Sequence, residues 1–191
     1  MKKFLLVLCI IPVIAFSQED KKNIYSGGML YFQPGYTITQ NEHQKIEDIG
    51  FGLGGILRFY FFDYFTAGIC GGTQRTNYST SKSDDSYFNL GYGGAFAGIS
   101  IRKGRLRYTA AAFVANGTIK NLHIEDIDNN YLKDSYFYKH KTIILSPMLS
   151  LDFLATERLA LNFQAVFFMA KYNSDQTLYN PIFQLGILFN R

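Results

Sequence analysis

Residues 143–169 read IILSPMLSLDFLATERLALNFQAVFFM, two alternating runs divided by a short polar break. In the first, Ile143, Leu145, Leu149, Leu151 and Phe153 share one face and Thr142, Ser146, Ser150 and Asp152 the other. In the second, Leu159, Leu161, Phe163, Phe167 and Met169 oppose Asn162 and Gln164. A period of two residues marks a β-strand with one apolar face. Each run lasts about ten residues, whereas strands of soluble proteins average about 5–6 and a tilted strand crossing a bilayer needs about 9–11. Only Ala155, Thr156 and Glu157 lie between them, which is a hairpin turn.

Six further runs carry the same period. The first sets Leu30, Phe32, Tyr36 and Ile38 against Tyr31, Gln33 and Thr37, with Pro34 marking an edge, bulge or seam. The second sets Phe51, Leu53, Leu57, Phe59 and Phe61 against Gly50, Gly52, Gly54, Arg58 and Tyr60. The third sets Phe65, Ala67 and Ile69 against Thr66, Gly68, Cys70, Gly72 and Gln74, and the fourth Phe88, Leu90, Tyr92 and Phe96 against Asn89, Gly91, Gly93, Ala95 and Ala97. The fifth sets Leu106, Tyr108, Ala110, Ala112 and Val114 against Arg107, Thr109 and Ala111. The eighth sets Tyr179, Phe183, Leu185, Ile187 and Phe189 against Asn180, Gln184, Gly186 and Asn190. Short breaks at Asp63-Tyr64, Lys103-Gly104 and Ala155–Glu157 alternate with longer polar ones at 39–49, 79–86, 120–141 and 173–177. Such alternation is expected of tight periplasmic turns and longer extracellular loops.

The polar face holds mainly Gly, Ala, Thr, Ser, Asn and Gln, with few charges beyond Arg58, Arg107 and Asp152. A water-facing exterior would be studded with Lys, Glu and Asp, so the polar face is assigned to a narrow lumen and the apolar face to lipid. Phe59, Phe61, Tyr64, Phe65, Tyr108 and Phe153 gather at one end of the runs, and Tyr36, Phe51, Tyr78, Phe88, Tyr172 and Tyr179 at the other, as two interfacial girdles.

The 191 residues are 48% hydrophobic and 18% charged, with 17 Gly, 18 Phe and 14 Tyr, a composition suited to strands rather than helical bundles or disorder. Lys2 and Lys3 precede an apolar run from Phe4 to Phe16, with Ala15 and Ser17 small at the positions a signal peptidase reads. Residues 1–17 are expected to be a cleaved signal peptide and 18–191 the barrel domain. Without Lys2 and Lys3 the net charge falls from +4 to +2, too little for a nucleic-acid partner. Cys9 goes with the leader, which leaves Cys70 alone and no intramolecular disulfide.

With a leader, eight amphipathic runs and a final strand alternating through Leu185, Gly186, Ile187 and Phe189, the chain resembles the small outer-membrane β-barrels of the OmpA/OmpX type over residues 24–191. The resemblance implies an all-β, eight-stranded antiparallel up-and-down transmembrane barrel in a Gram-negative outer membrane. It also implies lipid and the barrel-assembly machinery as partners. Asn190 and Arg191 follow the terminal aromatic where that family usually stops on Phe, a departure in the signal that the assembly machinery reads.

The chain offers little chemistry. His43, His123 and His140 all fall in predicted loops, and the nearest approach to a catalytic set is Asp134, Ser135 and His140, so a non-enzymatic role is expected, with no cofactor. Glu125, Asp126, Asp128, Asn129 and Asn130 are rich in oxygen but lack the Gly and terminal Glu of a calcium loop, so no metal site is assigned. Arg107 and Asp152 are expected to meet inside the barrel, with Arg58 in reach across the lumen, as a charge cluster that plugs it. The segment 120–141, with four Lys and four acids, reads as a loop, and its Tyr131, Tyr136, Phe137 and Tyr138 are contact candidates for an extracellular protein partner. Three readings stand at this point: a structural, adhesion or partner-binding barrel; a narrow, porin-like passive channel; and a soluble periplasmic lipid-binding barrel.

Overall fold

The computed structural model describes residues 24–62, 64–128, 131–156, 158–171 and 176–190; the expected signal peptide lies outside them. Eight antiparallel strands follow one another around a closed barrel. They are β1 (Ile24–Gln40), β2 (Lys45–Phe61), β3 (Phe65–Tyr78), β4 (Ser86–Lys103), β5 (Leu106–Asp128), β6 (Tyr131–Leu154), β7 (Leu159–Lys171) and β8 (Thr177–Asn190). Closure between β1 and β8 runs without a gap from Gly27 opposite Asn190 to Phe32 opposite Leu185. Beyond that, only Gly35–Ile182 and Ile38–Tyr179 are paired, and Pro34 and Pro181, neither with an N–H to give, both lie in the sparse part of this seam.

Three tight turns close one end of the barrel. In the β4–β5 turn Gly104 takes a left-handed φ of 60°, the conformation that glycine adopts without a steric penalty, and in the β2–β3 turn Phe62 does so at 53°. At the other end the strands are longer than the alternation suggests. Of the segment 39–49, only Asn41–Gln44 lies outside the strands. The stretch 120–141, read as a loop, is instead a paired hairpin: β5 has 23 residues and β6 24, and pairing continues from Leu106–Phe153 to Asp128–Tyr131, with irregular register around Asp126. Sequence patterning lost these strands because, beyond the bilayer, both sheet faces meet water and the apolar alternation disappears.

The outward face is apolar on seven strands as assigned. Leu30 is 82% exposed, Leu53 66%, Ile143 66% and Phe183 62%, while on the same strands Gln33, Arg58, Asp152 and Gln184 are at 0–1%. Strand β4 is reversed. Its Phe88, Leu90, Tyr92 and Phe96 point inward and are buried, so that Gly91, Gly93, Ala95 and Ala97 look out. The reason is volume. Five inward positions of β2 and β3 are glycine, at 50, 52, 54, 68 and 72, and the rings of β4 occupy the space they leave: Phe96 lies 2.7 Å from where a Cβ on Gly68 would sit, and the Tyr92 hydroxyl 3.1 Å from one on Gly72. Two girdle assignments change, Phe88 with its strand and Tyr78 because it shares the inward parity of Thr66 and Gln74 on β3. Phe88 and Tyr78 face the interior, whereas Tyr36, Phe51 and Tyr179 stay outward; Tyr172 lies outside the described residues. The opposite ring, from Phe59 and Tyr64 to Tyr108 and Phe153, is outward throughout.

Candidate functional site

A barrel acts through its lumen, its mouth or its outer wall. In the lumen, the three charges singled out from sequence do come together near the tight-turn end. Arg107 and Asp152 are register partners on β5 and β6, yet the ion pair forms across the barrel, between Arg58 Nη1 on β2 and Asp152 Oδ2 at 3.4 Å, with both side chains fully buried. Neighbouring strands present adjacent inward side chains side by side, whereas Arg58 reaches its acid head-on. Arg107 instead lies over the ring of Tyr60 at 4.1 Å and that of Tyr25 at 4.9 Å, and these two rings stack on each other at 4.6 Å.

Neutral groups complete the shell around Asp152. Tyr60 donates to Oδ2 at 3.1 Å, Ser150 donates to Oδ1 at 3.1 Å, and the Asn162 amide also donates to Oδ1. Arg58 Nη2 donates to the Gln164 carbonyl oxygen at 2.8 Å. A buried ion pair is tolerated when hydrogen bonds offset its desolvation, and here β2, β6 and β7 supply the partners, with Arg58 Nε and Asn162 Oδ1 left unpaired.

Above this cluster sits a second layer that sequence reasoning missed. The Tyr92 hydroxyl donates to Gln33 Oε1 at 2.6 Å, Gln184 Nε2 donates to the same oxygen at 3.1 Å, and Tyr31 and Tyr92 share a 3.0 Å hydroxyl contact. The rings of Phe113 and Phe168 pack edge-on against Tyr92, at 6.0 and 4.6 Å. Placing Tyr92 on the lipid face conceals this layer; the glycines at odd positions of β4, Gly91 and Gly93, are the signal in the sequence that would reveal it. Arg58, Asp152, Gln33, Leu90 and Phe168 are all 0% exposed, so no water-sized space touches any of them.

At the long-loop mouth, aromatic and imidazole rings pile up. His43 stacks on His123 at 4.3 Å, and Tyr136 packs against His43 at 4.6 Å. The Tyr138 hydroxyl meets His43 Nε2 at 3.1 Å and donates to Glu42 at 3.3 Å. The Tyr78 hydroxyl donates to Asn121 Oδ1 at 2.7 Å. Burial, followed by the neighbouring His43 ring, holds the His123 imidazole below its ordinary value. The hairpin aromatics thus divide by strand parity: Tyr136 and Tyr138 turn over the mouth, while Phe137 looks outward and is 56% exposed. The Tyr131 side chain lies outside the described residues.

The other candidates do not assemble. Ser135 and His140 sit on opposite faces of one strand, five residues apart, a separation of about 16 Å at the strand rise. In the oxygen-rich segment, Asp126 pairs with Lys82 at 3.0 Å and Lys133 at 3.5 Å, and Asn129 and Asn130 lie outside the described residues. Among the described residues no group of three or more His, Cys, Asp or Glu is placed to hold a metal ion.

No family model matches the sequence, and neither does any curated protein. Solved structures do. The chain is similar to Neisserial surface protein A, NspA, with a TM-score of 0.56 at 10% identity over 90% of this chain and 99% of that one. It is similar to the outer membrane protein OprG from Pseudomonas aeruginosa, with a TM-score of 0.52 at 12% identity over 88% and 94%. It is also similar to Ail, the attachment invasion locus protein of Yersinia pestis, with a TM-score of 0.50 at 13% identity over 86% and 98%. The likeness is one of fold, and by fold the chain is an eight-stranded outer-membrane β-barrel.

Proposed function

We propose that this protein is a non-conducting, non-enzymatic barrel of the Gram-negative outer membrane that presents its β5–β6 hairpin to a partner outside the cell. The observation that carries the reading is the disparity in strand length: β6 has 24 residues and β7 only 13. Pairing between β6 and β7 ends at Ile144–Ala170, so residues 133–143 of β6 have β5 on one side and, among the described residues, no strand on the other. An open edge of this kind offers backbone donors and acceptors to an incoming strand, and Phe137 and Tyr136 supply apolar contact beside it.

A filled lumen argues against the passive channel, because an ion would have to displace the Arg58–Asp152 pair and the tyrosine–glutamine layer. The soluble lipid-binding alternative meets an interior occupied by side chains and an exterior covered with large apolar ones. The test uses cells displaying either the intact chain or a chain lacking Asp126 to Asp134, applied to immobilised extracellular-matrix proteins and to cells of the same strain. With barrel assembly checked by heat-dependent gel mobility, the shortened chain is expected to lose attachment. Equal attachment by both would contradict the proposal.

A further inference from the structure

On the outer wall formed by β3 to β6, towards the long-loop ends of β3 and β4, a cleft of about 540 Å³ is lined by Thr73, Asn89, Asn116, Lys120, Lys139 and Lys141. All six occupy outward positions by strand parity, and the three lysines are exposed. Lys120 and Lys139 are direct register partners, an arrangement in which like charges repel. Lys141 lies one outward step further along β6, opposite Thr118. None of the three forms an ion pair among the described residues. The adjoining stretches 73–77, 87–91, 116–122 and 137–143 contain no Asp or Glu, while Arg75 adds a further cation over the ring of Tyr87 at 4.2 Å. The wall therefore gathers positive charge where no protein acid answers it.

The neighbourhood of this cleft is the lipid-facing surface itself. One outward step along β3 and β4, from Thr73 to Gly71 and from Gly91 to Gly93, the cleft gives way to an apolar trough of about 990 Å³ that is flanked by Leu30, Leu57 and Ile69. On β1, β2 and β8 the corresponding rim carries Tyr36, Phe51 and Tyr179, whereas here the lysines stand in their place. We propose that this cleft binds the phosphate-bearing headgroup of a membrane lipid, with an acyl chain running down the trough. A phosphate monoester carries close to two negative charges and three acceptor oxygens, and lysine is a point-charge ligand for it. The amides of Asn89 and Asn116 are within the same cleft to serve the ester and sugar or glycerol oxygens, and the Thr73 hydroxyl, which donates to Asn89 Oδ1 at 2.9 Å, holds the Asn89 side chain in place. This inference needs the outward face to meet lipid but does not depend on the hairpin having a partner, so each can fail without the other.

The test titrates the purified, folded full chain in neutral-headgroup micelles with dilauroyl phosphatidic acid, dilauroyl phosphatidylcholine and inorganic phosphate, with occupancy read by native mass spectrometry. Phosphatidic acid is expected to be retained about tenfold better than phosphatidylcholine, an effect in keeping with a few surface lysines. The triple change Lys120→Gln, Lys139→Gln, Lys141→Gln should abolish that preference, while the control change Lys82→Gln, Lys133→Gln, at the two lysines paired with Asp126, keeps it. A Cβ on Gly93 meets open space, so Gly93→Phe fills the trough without disturbing the wall and should lower retention with every lysine in place. Equal retention of the two lipids, or a preference that survives the triple change, would overturn the proposal. Full displacement of phosphatidic acid by equimolar inorganic phosphate would overturn it as well, because the site would then be one for a free anion.

Discussion

The wall made by β1, β2, β7 and β8 and the wall made by β3 to β6 share one period and differ in what they do with it. In the first, large apolar side chains face out and Gln33, Arg58, Asn162, Gln164 and Gln184 face in. In the second, β4 sends its rings inward and shows glycine and alanine to the lipid, and the rim above holds lysine rather than tyrosine. Alternation determines which residues share a face. On β4 the lipid face is decided by how much volume the interior still needs, since Gly and Ala bring no charge or unpaired polar group to the bilayer while the rings fill space inside.

The ion pair ties the two walls together, so breaking it should have the largest effect. Asp152→Ala leaves Arg58 buried without its acid and is expected to destabilise the barrel by about 3–5 kcal/mol in urea unfolding from vesicles. The double change with Arg58→Met should recover much of that loss; a double variant no better than the single would show that the hydrogen-bonded shell, rather than the charge, matters. Next comes the reversed strand. Phe96→Ala opens a cavity against Gly68 and should cost about 3 kcal/mol in the same measurement. The outward Phe163→Ala should cost clearly less, because lipid refills the space, and equal losses would return β4 to the outward assignment.

A sharper comparison uses two adjacent glycines. A Cβ on Gly94 would strike the Val114 carbonyl and the Ala115 backbone, whereas one on Gly93 meets nothing within 4 Å. Gly94→Ala is therefore expected to cost about 1–3 kcal/mol and Gly93→Ala to stay within about 0.5 kcal/mol.

The smallest effect belongs to the hairpin tip, outside the bilayer, where the hydrogen bond from Lys82 holds the Asp126 carboxyl below the usual carboxylate range. A group with a lowered native value contributes its stabilisation at neutral pH and loses it as pH falls through that lowered value. Amide exchange across Ile124–Asp128 should accordingly rise, relative to its intrinsic rate, in acid; Lys82→Gln should weaken the pH dependence, and the double change with Lys133→Gln should remove it.

Much of this structure was legible in the sequence. The run from Ile143 to Met169 revealed two membrane strands and their turn, and the inward placement of Arg58, Arg107 and Asp152 followed from parity alone. Parity could not say which arginine would reach the acid, because that depends on side-chain reach across the lumen rather than along the register. Phe88 to Phe96 mislead because large apolar side chains suit both lipid and a glycine-lined interior, and the glycines at 50, 52, 54, 68 and 72 vacate the interior opposite. The upper parts of β5 and β6 were hidden because Lys120, Lys139 and Lys141 look like loop residues until their strand pairing is seen.

Side chains close the lumen at two successive layers, the Arg58–Asp152 cluster and the Tyr92–Gln33–Gln184 layer. Ion conductance of the folded full chain in planar lipid bilayers tests this closure most directly. Insertion, established by heat-dependent mobility of the same preparation, is expected with no stable conductance steps. Reproducible ohmic steps that scale with salt concentration would contradict it and make the interior a pore.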